Sequence, residues 1–80
     1  MKLHIIYTES TMLLSKKDYA TWQDIQRDFP EFKASLGPWP CSEMAEYLSE
    51  EYPGISPSAQ AQIAELRDSD SVFLEVRFVK

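Results

Sequence analysis

The residues with chemistry to offer are few. Cys41 is the only thiol and His4 the only imidazole. A thiol and an imidazole are the parts of a nucleophilic pair, in which the base takes the thiol proton. Cys41 also precedes an expected helix start, where the helix's positive end favours a thiolate. Nothing in the spacing brings His4 to it, and a small packed hydrophobe is the plainer role for Cys41. A structural zinc site needs about four Cys or His ligands, and the chain offers only these two. The acid-dense turn Asp68-Ser69-Asp70 lacks the glycine and the terminal glutamate of a calcium loop; it reads as the end of a helix. With Gly37 and Gly54 as the only glycines, there is no Gly-rich phosphate loop, nor is there a G-x-S-x-G elbow. The sequence assigns no catalytic, cofactor-binding or metal-ligating residue, and no cofactor is expected.

What remains is suited to binding. Glu43, Glu46 and Glu50 recur at steps of three and four, so they line one stripe of a helix. Trp39 stands between Pro38 and Pro40, which hold it extended. A tryptophan in a stiff segment loses little entropy on docking, and tryptophan is enriched at interface hot spots. Tyr47 lies on the same helix as the glutamates. Trp39, Glu43, Glu46, Tyr47 and Glu50 are therefore the candidate partner-binding residues.

The charge distribution supports this choice. The chain carries 13 acids against 8 bases, net −5. Residues 1–33 are neutral, with five of each sign, so the whole excess falls in residues 34–80. Between Ala34 and Leu66 there is no base. Such a surface opposes binding to nucleic-acid phosphates, which depends on Lys and Arg, and opposes attraction to anionic lipid. It suits a basic patch on a protein or nucleoprotein complex.

The elements that must position these groups follow from periodicity. Lys2–Thr8 alternates Leu3, Ile5 and Tyr7 with His4, Ile6 and Thr8, a strand. Residues 11–14 fit either a short second strand or the start of a helix. Ser15 opens a helix with Asp18 as a capping-box partner, and Tyr19, Trp22, Ile25 and Phe29 make one apolar stripe, with Trp22 in the core. Pro30 ends that helix. A further helical turn is expected over residues 31–36, closed by Gly37 in a left-handed conformation. Ser42 caps a third helix with Met44, Tyr47, Leu48 and Tyr52 on its apolar face, stopped by Pro53-Gly54. Ser56-Pro57 opens a fourth, with Pro at the first helical position and Ala59, Ile63 and Leu66 on one side. Residues 71–80 alternate as a last strand, with Val72, Leu74, Val76 and Phe78 facing one way. The expected architecture is α+β: a small sheet made of the two terminal strands side by side, with or without the short third, and three to four helices on one face.

At 80 residues the chain is one compact domain. Its 44% hydrophobic content excludes intrinsic disorder. A single cysteine excludes an internal disulfide and favours a reducing compartment. The apolar start of the chain is too short for a signal core or a membrane span, so a cytoplasmic location is expected. In size and charge alone the chain resembles small acidic inhibitors made by phages and mobile elements, anti-CRISPR proteins among them. The leading expectation is a non-enzymatic protein that covers a basic surface of a larger macromolecule. The alternatives are a homodimer or accessory subunit, and a small enzyme dependent on Cys41.

Overall fold

The computed structural model describes residues 1–79. In chain order the elements are β1 (Lys2–Thr8), β2 (Met12–Ser15), α1 (Trp22–Asp28), β3 (Phe32–Pro40), α2 (Cys41–Glu51), α3 (Ala59–Asp68) and β4 (Phe73–Glu75). The architecture is α+β, with one antiparallel sheet in the order β3-β1-β2-β4. The terminal strands are not neighbours; β2 lies between them. The reason is the hairpin. The Thr8 and Thr11 hydroxyls meet at 2.7 Å, and the Thr8 amide donates to the Thr11 carbonyl at 2.9 Å. This short turn pairs β1 with β2 before any distant strand can compete.

One apolar row crosses all four strands: Leu36, Ile5, Leu14 and Leu74 are successive register partners. Helices α2 and α3 cover this face. Met44, Ala45, Leu48, Ala59, Ile63 and Leu66 pack with Leu3, Ile5, Leu14 and Val76 into one buried cluster. Each fully buried Leu or Ile of this set contributes about 1.5–3 kcal/mol of transfer free energy. The other face carries His4, Ile6 and Ser15, all buried. Ile25 of α1 covers it, and Phe29 meets Phe73 edge-on at 4.8 Å. Helices therefore cover both faces of the sheet rather than one.

The expected first helix is shorter than its stripe. Ser15 does not cap it, because β2 continues through Ser15, which pairs with His4 on one side and Phe73 on the other. Its hydroxyl instead accepts from the Lys17 amide at 3.0 Å. The helix begins only at Trp22, and Trp22 is 55% exposed, so it is not a core residue. Of residues 31–36, Glu31 is in a turn and Phe32–Leu36 are strand, not helix. The central strand β1 needs hydrogen-bond partners on both edges, and β3 supplies them, overriding local propensity. Gly37 does have positive φ, +102°, but within β3 and not at a helix end.

Helix α2 begins at Cys41 with Pro40 at its N-cap, so Ser42 lies inside its first turn. Helix α3 begins at Ala59, where the Ser58 hydroxyl accepts from the Ala61 amide at 3.1 Å; Ser56-Pro57 precedes it as linker. The far end of α3 is closed by a cation, as its dipole favours: Lys16 Nζ donates to the carbonyls of Leu66 at 2.8 Å and Ser69 at 2.6 Å.

The last strand stops at Glu75. The Val76 amide still donates to the Met12 carbonyl at 2.9 Å, and residues 77–79 then bend away to pair with the α2–α3 linker, through an Ile55–Phe78 bridge and a Val79 amide donating to the Gly54 carbonyl at 2.7 Å. Val72 and Phe78 are accordingly exposed, whereas Val76 is buried. The expected strand end at Lys80 lies outside the described residues. Gln62, fully buried, holds this bend. Its amide nitrogen donates to the carbonyls of Pro57 (2.8 Å) and Arg77 (3.0 Å), and its oxygen accepts from the Arg77 amide (2.9 Å).

Candidate partner-binding groove

Trp39 reaches its position through a defect in the sheet. Leu36 pairs with Ile5, and Trp39 with Leu3, so β3 spends one residue more than β1 between those pairs. This is a β-bulge. Side chains alternate along a strand, so without the extra residue Trp39 would lie on the face opposite Leu36. The bulge at Gly37 and Pro38 reverses the parity and brings Trp39 to the α2 side. There its ring meets Tyr47, with centroids 5.1 Å apart and planes at 60°. The aromatic row continues beyond the groove: Tyr47 to Tyr52 at 6.5 Å, and Tyr52 to Phe78 at 5.7 Å. The Tyr7 and Tyr52 hydroxyls share a hydrogen bond of 2.9 Å, and burial together with that bond pushes the Tyr7 hydroxyl's pKa well above its ordinary value.

Trp39, Glu43, Glu46, Tyr47 and Glu50 line a single open groove of about 250 Å³. The structure thus brings together all five residues selected from the sequence. The two rings are half-buried and form its apolar wall, while the three carboxylates are exposed along one stripe of α2. Four ion pairs occur among the described residues: Lys17–Asp28, Arg27–Asp24, Arg67–Asp68 and Arg77–Glu65. None of them uses Glu43, Glu46 or Glu50, and the last turn of α2 holds no base. Like charges at this spacing destabilise a helix by about 0.2–0.5 kcal/mol per pair. Acids at the negative end of α2 add to that cost.

The other candidates separate. Cys41 opens α2 and packs against the α2–α3 core cluster, with its thiol facing the Met1 carbonyl at 3.6 Å. His4 points to the opposite face of β1, so the two do not form a nucleophile–base pair. Among the described residues no group of three His, Cys, Asp or Glu is placed to hold a metal ion, and no helix is long and apolar enough to cross a membrane. β3 is an edge strand and has no amide hydrogen at Pro38 or Pro40, as is typical of strands that avoid pairing with another chain.

No family model, curated protein or solved structure matches this chain. Function must therefore be read from the residues themselves.

Two features escaped the sequence reading. One is Gln62, which stands on the apolar stripe of α3 between Ala59 and Leu66; a lone amide there was the available signal. The other is His4, 5% exposed and edge-on to Tyr19 at 5.5 Å. The segment over it is tied down by Asp28, which accepts from Lys17 Nζ at 2.6 Å and the Tyr19 hydroxyl at 2.8 Å. Those two donors hold the Asp28 carboxyl below its usual range. Burial lowers the pKa of His4, and Asp18 only partly opposes that.

Above the ordinary value of 6.5 the imidazole is neutral in both states. As pH falls below it, the unfolded chain takes the proton more readily. Stability is therefore full above pH 6.5 and declines as pH drops toward the lower folded pKa. Urea midpoints at pH 7.5 and 5.5 should show this loss, and His4→Phe should flatten it across that window.

Proposed function

We propose that this protein is a small non-enzymatic binding module that covers a basic surface of a larger protein or nucleoprotein complex. The observation that carries the reading is the groove itself: an aromatic pair beside three carboxylates that form no ion pair with a cation among the described residues. An arginine or lysine entering it meets ring faces and negative charge together. Cation–π contacts are worth about 0.5–2 kcal/mol each, more when desolvated. The acidic stripe speeds encounter with a basic partner. The helix retains repelling charges at a cost to its own stability, which a partner's cations would relieve. Blocking a positively charged groove, in the manner of a phage or mobile-element inhibitor, is the action this surface suits.

The test is affinity capture with three matched baits. One is the wild type. The second carries Glu43→Gln, Glu46→Gln and Glu50→Gln. The third carries Glu9→Gln, Glu31→Gln and Glu75→Gln, which removes the same charge elsewhere. A partner with a basic surface, retained by the first and third baits and lost at least tenfold from the second, is the expected result. Equal loss from the second and third overturns the groove as the site. The groove variant should fold at least as stably as wild type, since repulsion within α2 is relieved.

A further inference from the structure

The face of the sheet opposite the groove carries a larger, open cavity, about 460 Å³, walled by Thr8, Thr11, Leu13, Asp28, Phe29 and Glu31 among others. Small-molecule sites have volumes of roughly 300–1,000 Å³. The cavity exists because α1 is short. Its seven residues span about 10 Å, and Pro30 stops it. Ile25 covers part of the face, while the hairpin end, floored by Leu13, stays open. Leu13 is the register partner of Ile6 and shares its face. The walls are fixed before any guest arrives. The Glu9 amide donates to the Glu31 carbonyl at 3.2 Å, tying the hairpin turn to the α1–β3 turn. Thr8 and Thr11 lock the hairpin turn through their hydroxyls, Phe29 is set against Phe73, and Asp28 is anchored by Lys17 and Tyr19. A site ordered in advance loses little on binding.

The walls define the guest's chemistry. Leu13, Phe29 and Pro30 supply apolar surface, and Phe29 an aromatic ring. Asp28 and Glu31 are the charged residues of the lining, which contains no Lys or Arg. Lys17 and Tyr19 both bond Oδ2 of Asp28, and Lys17 offsets its charge. The charge left over in the walls is that of Glu31, which is exposed and forms no ion pair among the described residues. Glu75, cross-strand from Leu13, adds an acid on the same face. Both wall carboxylates are within reach of a guest, since the Asp28 side chain is 30% exposed even with its two donors. An anion is repelled here, and a neutral molecule uses only the apolar surface. A cation with an apolar body uses both. We propose that this cavity binds a small organic amine, its ammonium beside Glu31 and its ring against Phe29 and Leu13. An apolar cavity of roughly 150 Å³ holds one benzene, so two fused rings and a short arm fit. The site is on the other face of the sheet from the acidic groove and does not rest on it.

NMR of the wild-type protein tests this, following the methyl groups of Thr8, Thr11 and Leu13 during titration with three ligands that share one indole ring: tryptamine, tryptophol and indole-3-acetate. Saturable shifts are expected at all three residues. Tryptamine should bind about fivefold tighter than tryptophol, the size of one partly exposed ion pair, and indole-3-acetate most weakly. The advantage of tryptamine should shrink as salt rises. Butylammonium, which has a lysine's charge but no ring, should bind more weakly than tryptamine, assigning the site to a free amine rather than to a partner's lysine. Glu31→Gln, with its fold checked by the same spectra, should bring tryptamine close to tryptophol's affinity and leave tryptophol unchanged. The variant carrying Glu43→Gln, Glu46→Gln and Glu50→Gln should keep tryptamine binding at the Leu13 methyls, which separates this site from the groove. Equal affinity for tryptamine and tryptophol, butylammonium binding as tightly as tryptamine, no effect of Glu31→Gln, or shifts confined to Trp39 and Tyr47 would overturn the proposal.

Discussion

Gly37→Ala is expected to destabilise the protein by about 3–4 kcal/mol and to dismantle the groove at the same time. A Cβ at this position would lie 2.6 Å from the Leu3 carbonyl oxygen, which is backbone of the central strand and cannot swing aside. The φ of +102° is itself a conformation that costs side-chain-bearing residues about 1–3 kcal/mol. The chain has one escape, which is to iron out the bulge. That restores simple alternation and moves Trp39 to the α1 face of the sheet, away from Tyr47. The expected result is therefore double: a lower urea midpoint, and loss of the Trp39–Tyr47 contact seen as a red shift and quenching change in Trp39 fluorescence, read with Trp22→Phe as background. Gly54→Ala is the control, because a Cβ there meets nothing within 4 Å.

Gln62→Leu is expected to cost about 3 kcal/mol. Leucine matches the volume and suits a helix, so a purely apolar view of α3 predicts neutrality or gain. The loss comes from the partners. The Arg77 amide and the Pro57 carbonyl, both part-buried, are left without their hydrogen bonds, at about 1–3 kcal/mol for each group left unpaired. The Arg77 carbonyl keeps the Ser56 amide as donor, at 3.2 Å, so it is not orphaned. For a domain whose whole stability is about 4–12 kcal/mol, this is a large fraction, and a fall in Tm of about 12–24 °C follows. Hydrogen exchange adds the location: the amides of residues 77–79 should lose protection before those of β1. Gln62→Glu separates packing from bonding, since its carboxylate accepts from the Arg77 amide but faces two carbonyls with nothing to donate. Its cost should rise with pH as the carboxyl ionises.

How much of this was legible in the sequence depended on the range of the interaction. β1 followed from its strict alternation, and α2 from an apolar face whose Met44 and Leu48 are fully buried. These patterns are local, and nothing distant contradicts them. Residues 15–21 and 31–36 read as helix because Tyr19, Trp22, Ile25, Phe32 and Leu36 have helical spacing. Ser15 stays in β2 and residues 32–36 lie in β3 because the sheet takes them as backbone partners, a demand that no local pattern expresses, and residues 16–21 become the connection to a shortened α1. The strand order failed for the same reason: a tight hairpin decides it, and the sequence showed that hairpin only weakly. The five groove residues come together because four belong to one helix and the fifth is joined to its start through Pro40 alone. Their parity, however, rests on Gly37. A Gly-Pro step inside an extended segment is the signal of a bulge, and read that way it would have placed Trp39 on the correct face.

The central claim is that the groove receives a cationic side chain, and a titration of Trp39 fluorescence with a hexa-arginine peptide tests it most directly. In the Trp22→Phe background Trp39 is the only tryptophan. The account predicts saturable binding that weakens as salt rises. The Glu43/Glu46/Glu50→Gln variant should lose at least tenfold, while the Glu9/Glu31/Glu75→Gln variant keeps most of its affinity although it sheds the same three charges. Hexa-lysine should bind more weakly than hexa-arginine, because a planar guanidinium also stacks flat on a ring and bonds carboxylates bidentately, which an ammonium cannot. Equal losses in the two variants, or a Trp39 signal that never changes, would contradict it.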